Sequence, residues 1–180
     1  MGFRNGPEEF GLVTRLLHWL TMALVLGMLA LGTQLKDMEP GLANLWLYGL
    51  HKTTGFAVLA LILLRILWHL ASPPPRPLGP PGPMMLLARG VHWAFYILLI
   101  AIPLAGWAGS SATGIDVMIA DRWVVPPLVE ASAEAEDLWF GVHGLLTKLL
   151  IGLIILHVAG AVKRAMAGDG TIRRMIRGRV

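Results

Sequence analysis

Residues 138–165 read LWFGVHGLLTKLLIGLIILHVAGAVKRA, and only Lys148, Lys163 and Arg164 in that run carry a full charge. At 1.5 Å per residue such a helix is long enough to cross a hydrocarbon core of about 30 Å. Two histidines, His143 and His157, lie inside it, 14 positions apart. At 3.6 residues per turn that spacing is nearly four turns, so both imidazoles share one face, about 21 Å apart along the axis. An apolar helix that presents two ionisable rings on one side sets the problem for the whole chain.

Working outward, three further stretches have the same character: about Leu12–Gly32, about Asn44–Leu70 and about Leu86–Ala108. The fourth span is the one quoted, about Leu138–Ala165. The expected fold is therefore an all-α integral membrane domain, one four-helix transmembrane bundle over residues 1–180. Composition agrees, with 56% hydrophobic and 14% charged residues against roughly a quarter charged in soluble domains. A chain of 180 residues has no soluble core large enough to hide that much apolar side chain. There is no cysteine, which excludes disulfides, iron–sulfur clusters, thiolate zinc sites and covalently attached haem. Residues 1–11 include Glu8 and Glu9 and lack the short apolar core and cleavage site of a signal peptide. The first span is expected to be retained.

Between spans two and three, residues 72–83 contain seven prolines, which forbid helix and favour a stiff, extended connection. The longest loop, Gly109–Asp137, carries Pro126, Pro127 and the acidic residues Glu130, Glu134, Glu136 and Asp137. Basic residues divide unevenly. Arg4, Arg15, Arg76, Arg89, Lys163, Arg164, Arg173, Arg174, Arg177 and Arg179 fall on one side. Only Lys36 and Arg122 fall on the other. The positive-inside rule then expects both termini in the cytoplasm. The net charge of +4 reads as anchoring to lipid headgroups, with no nucleic-acid partner.

All six histidines (His18, His51, His69, His92, His143, His157) lie in or at the edge of spans. Ionisable groups inside a membrane are costly and mark function by default, although one such histidine can also serve a neighbouring helix as a hydrogen-bond partner. Topology sorts four of them into two levels, His51 with His143 toward the outer side and His18 with His157 toward the inner. Two imidazoles facing across a bundle supply both axial ligands of a low-spin haem iron, which suits electron transfer. Gly55, Gly141, Gly144 and Gly160 would admit a flat macrocycle, or serve close helix packing. Structural zinc wants four converging ligands. A proton or metal transporter built on histidines would not require two matched levels.

His92 is left over at the inner level, as a packing residue or a quinone- or proton-handling one. His69, at the inner water boundary, is expected to be interfacial with no chemistry. Arg65 needs an anion, for which a haem propionate is a candidate, or it snorkels to the headgroups. Lys52 and Lys148 stand near the outer level, to hold propionates, to attract a small anion or to snorkel.

These pieces resemble a family, the bacterial cytochrome b561 proteins. The resemblance rests on Arg15-Leu16-Leu17-His18-Trp19, Leu50-His51-Lys52-Thr53-Thr54-Gly55, Arg65, Leu87-Ala88-Arg89-Gly90-Val91-His92, His143, His157 and the tail Asp169–Met175, and it covers essentially the whole chain. It implies a protein of the bacterial inner membrane with two b haems, His51 and His143 on the outer iron and His18 and His157 on the inner. It also implies the activity of a superoxide oxidase, which takes electrons from superoxide at the outer surface and delivers them to ubiquinone. His92 matches a position near quinone in such proteins. Relatives often carry a histidine one or two turns beyond the last ligand, where this chain has Lys163 and Arg164, and Arg164 becomes the candidate for the quinone there. The alternative keeps the haems but makes the chain a cytochrome b subunit between the quinone pool and a partner redox protein.

Overall fold

The computed structural model describes residues 2–180. Four long helices carry the chain: α1 (Leu12–Lys36), α2 (Leu45–Ala71), α3 (Pro83–Ala112) and α4 (Ala133–Met166). Each is long and apolar enough to cross a membrane. Large apolar side chains along them are exposed, Leu67, Ile97 and Ile155 among them, as expected where the solvent is lipid rather than water. Three helices, α1, α3 and α4, outrun the apolar stretches that predict them, whereas α2 matches its stretch to within one residue at each end. Lys36 closes α1, while Glu134 and Glu136 sit in the first turn of α4. These charges complement the helix dipole, so the backbone stays helical past the point where hydropathy stops. Pro83 opens α3 at its first position, where a missing N–H costs nothing.

Two further elements depart from the expected loops. Within the segment expected as the long loop Gly109–Asp137, α3 runs on to Ala112, and β1 (Val117–Ile119) and β2 (Trp123–Val125) then form an antiparallel hairpin with Val117 opposite Val125. Its tip places Ala120 and Asp121 at φ of 53° and 50°, a left-handed pair without the glycine that would announce it. After α4, the tail forms α5 (Thr171–Arg177), closed by Gly178 at φ 87° with its N–H on the Arg174 carbonyl.

The described chain divides into two compact units. The first comprises the chain up to Thr21 with Leu61–Ile97 and Leu150–Val180. In it the N-terminal segment, the proline connection and the tail are tied together. Asn5 donates from its backbone N to Ser72 Oγ and from Nδ2 to the Ser72 carbonyl, at 2.9 and 2.8 Å. Phe10 N donates to the Gly178 carbonyl, and Arg15 Nη1 to that of Ile176. Arg174 is 3% exposed, donates Nη1 to the Arg76 carbonyl at 2.8 Å and lies over the Phe10 ring. These bonds satisfy carbonyls that the prolines and the short α5 leave without helical partners.

The second unit comprises Met22–Ala60 and Leu98–Leu149. Here the hairpin tip docks on α2. Ala120 N donates to Thr53 Oγ1 at 2.9 Å, and the Asp121 carboxylate lies against Gly49, where a Cβ would come within 2.9 Å of it. Trp107 Nε1 reaches the Pro126 carbonyl, which pins the strand exit to α3.

Candidate functional site

The second unit brings His51 of α2 and His143 of α4 opposite each other, with ring centroids 6.3 Å apart and ring planes steeply inclined at 73°. His143 Nδ1 lies 2.9 Å from the Ile102 carbonyl. A carbonyl only accepts, so Nδ1 carries the proton and Nε2 keeps its lone pair for another partner. A glycine from another helix backs each ring. A Cβ on Gly106 of α3 would come within 3.0 Å of His143 Nδ1, and one on Gly32 of α1 within 3.2 Å of His51 Cε1. His51 Nδ1 is buried without a hydrogen-bond partner among the described residues. Beside His51, Lys52 is half-buried, and Lys148, one turn after Gly144 on α4, is exposed.

The first unit holds the other pair. His18 of α1 and His157 of α4 have centroids 6.4 Å apart at 56°. More aromatic rings crowd this pair than the other. His92 lies 5.5 Å and Phe95 5.3 Å from His157, and Trp19 meets His18 edge-on. Arg65 brings Nη2 to 3.5 Å from His18 Nδ1, at the outer limit of a hydrogen bond. Its guanidinium lies 5.8 Å from the centre of the Tyr96 ring, and its Nε is buried without a partner among the described residues. His69 is not a bare interfacial residue, because its Nδ1 meets the Tyr96 hydroxyl at 2.9 Å. Arg164 is engaged elsewhere: it pairs with Asp169 and donates Nη2 to the Leu78 carbonyl at 2.7 Å, holding the tail to the proline connection.

Both pairs have the separation that one metal ion between two imidazoles requires. A metal–nitrogen bond of about 2 Å on each side, with each nitrogen about 1 Å from its ring centre, puts the centroids a little over 6 Å apart. Among the described residues no three histidine, cysteine or carboxylate side chains converge as a metal site, which suits a two-ligand iron whose other donors come from a macrocycle. The glycines near the ligands leave their helix surfaces open. A Cβ added at Gly144, next to His143, or at Gly160, three after His157, would meet nothing within 4 Å.

A family model described as prokaryotic cytochrome b561 matches residues 9–178. The chain belongs to the prokaryotic cytochrome b561 family. It is 34% identical over 182 residues to "Cytochrome b561 homolog 2" of Escherichia coli (strain K12), covering 98% of this chain and 95% of that relative. It is 31% identical over 162 residues to "Probable superoxide oxidase CybB" of Yersinia pestis, covering 89% and 91%. Membership in this cytochrome b561 family carries b-type haem binding and a membrane electron-transfer role.

Four residues near the pairs escape a reading of the sequence. Gly32 and Gly106 look like ordinary small residues in apolar helices, and only the neighbouring helix shows that each faces an imidazole. Phe95 and Tyr96 had one available signal. They stand three and four positions after His92, on its face of α3.

Proposed function

We propose that this cytochrome b561 oxidises superoxide on the outer side of the bacterial inner membrane and reduces ubiquinone within it, with both termini cytoplasmic. His51 and His143 hold one b haem and His18 and His157 a second. The observation that carries the reading is the matched pair of ring separations, 6.3 and 6.4 Å, each between α4 and another helix. Bound there, two haems supply one-electron carriers with no open iron position. The reaction balances when two superoxide anions each lose one electron to give oxygen, while one quinone gains two electrons and two protons.

The protein's own residues divide the work. Ile102 and Gly106 fix the tautomer and seat of His143, as partners behind a metal-bound histidine commonly do. Arg65 offers a buried guanidinium with unused donor capacity, the chemistry that a haem propionate requires. Lys52 and Lys148 put positive charge beside the His51–His143 pair and would raise the encounter rate of a small anion. The name of the Yersinia pestis relative supports superoxide as that anion. His92 and Phe95 flank His157 and form the wall against which a quinone head would lie. Arg164, two turns beyond His157, is held by Asp169 and the Leu78 carbonyl.

A second reading has one observation in its favour. Trp123 and Val124 on the hairpin are 59% and 55% exposed, as a docking tip for a partner redox protein would be. Rapid mixing of the purified cytochrome with superoxide separates the two. Haem reduction that superoxide dismutase abolishes is the expected result. Unchanged haem spectra would overturn the superoxide reading and leave the partner-protein role.

A further inference from the structure

We propose that His69 and Tyr96 form the proton relay for quinone reduction, an inference that rests on the reading above. Quinone becomes quinol only by taking up two protons with its two electrons, and a hydrocarbon core holds neither water nor free protons. The protons must therefore pass along hydrogen-bonded side chains. In the first unit, one such connection leads from the end of α2 toward the face of α3 that carries His92. His69 lies two residues before the end of α2 at Ala71. Its Nδ1 meets the Tyr96 hydroxyl at 2.9 Å, and Tyr96 stands one turn after His92.

A tyrosine and a histidine that merely tie two helices together would give the same distance. Two observations go further. The second nitrogen of His69, Nε2, is buried without a partner among the described residues. An imidazole that uses one nitrogen and strands the other bears an uncompensated desolvation cost, which a proton donor arriving at Nε2 would remove. The other observation is Arg65, whose guanidinium lies over the Tyr96 ring. Its Nη2 also lies 3.5 Å from His18 Nδ1, so the connection runs up to the side of the His18–His157 pair.

The chemistry uses the two ring nitrogens in turn. A proton arrives at His69 Nε2, and the Nδ1 proton passes to the Tyr96 oxygen as the Tyr96 hydroxyl proton passes to the quinone oxygen. Tyr96 ends as it began. The electrons are those of the proposed oxidation of superoxide. His69 ends with its proton on Nε2 and returns to the Nδ1–H form by proton exchange before the next transfer, and two such cycles complete one quinol.

The test uses the haem-loaded protein in detergent, with its haems reduced beforehand and then mixed with a short-chain ubiquinone. Y96F and H69A should bind quinone normally, as read from quenching of tryptophan fluorescence, yet reoxidise at least tenfold more slowly, since a positioned proton donor contributes about 10²–10⁴-fold. Added imidazole should restore the rate of H69A, a rescue that a purely structural contact would not show. The slow step should also acquire a solvent deuterium effect. Reoxidation as fast as wild type in both variants overturns the relay. Loss of haem from either variant, or no rescue by imidazole, assigns the pair to structure and overturns it too. If the haems of the wild type are not reoxidised by ubiquinone at all, the parent reading falls first.

Discussion

Replacing Gly106 by alanine puts a methyl group where its carbon would stand 3.0 Å from His143 Nδ1 and 3.1 Å from Cε1. Ordinary contact begins at 3.4 Å, so the imidazole must retreat by about 0.4 Å or the helix must yield. A retreat stretches the 2.9 Å bond to the Ile102 carbonyl to roughly 3.3 Å, past the useful range. Losing such a partner behind a metal-bound histidine costs about 10–100-fold in affinity, or about 1.4–2.8 kcal/mol. Helix propensity works the other way, since alanine gains up to about 1 kcal/mol over glycine. The crowding term is the larger, and it acts on haem retention rather than on helix formation. Haem per chain, measured by pyridine haemochrome during competition with a haem-scavenging protein, should therefore show one haem leaving G106A about 10–100-fold more readily. G152A serves as the control, because a Cβ there would meet nothing within 4 Å. Equal haem retention in G106A and wild type would refute the placement of His143 as a ligand held from behind.

Reversing the two charges in K52E/K148E should slow superoxide-driven haem reduction about tenfold or more and flatten its dependence on ionic strength, because charge steering is screened by salt; stopped-flow rates across a salt series check this. At the tail, R174A removes a buried guanidinium from the Arg76 carbonyl and the Phe10 ring, and thermal unfolding in detergent should show a loss of about 1.5–3 kcal/mol. Acid should loosen the same region. Burial pushes Asp169 up, but the Thr171 backbone N–H and the Arg164 guanidinium outweigh it and hold its carboxyl below the usual carboxylate range. Its contribution is therefore complete above that range and disappears as pH falls through the lowered value. Proteolysis of the tail followed against pH should show the transition in wild type and not in D169N.

The helices were legible because a membrane imposes a coarse rule: about twenty apolar residues in a row admit few other structures. The four-turn spacing of His143 and His157 was legible for the same reason, since helical period and span direction together sort side chains by depth. What was missed depends on contacts between segments. Glu134 and Lys36 lengthen helices beyond the apolar runs, and hydropathy has no term for that. The hairpin turn at Ala120 and Asp121 lacks glycine and is held by Thr53 and a close approach to Gly49 on α2, which no local pattern announces. The short helix α5 stands between Gly170 and Gly178 and depends on Arg15, Arg76 and Phe10, all distant in sequence. His69 looked idle because its partner Tyr96 lies 27 positions away on another helix.

The most direct test of the two histidine pairs is the haem content and spectrum of the purified chain and of H143A. Two haems per chain with the reduced-minus-oxidised spectrum of six-coordinate, low-spin b haem are expected, falling to one in H143A. One haem in the wild type, a high-spin spectrum, or two haems retained by H143A would contradict it.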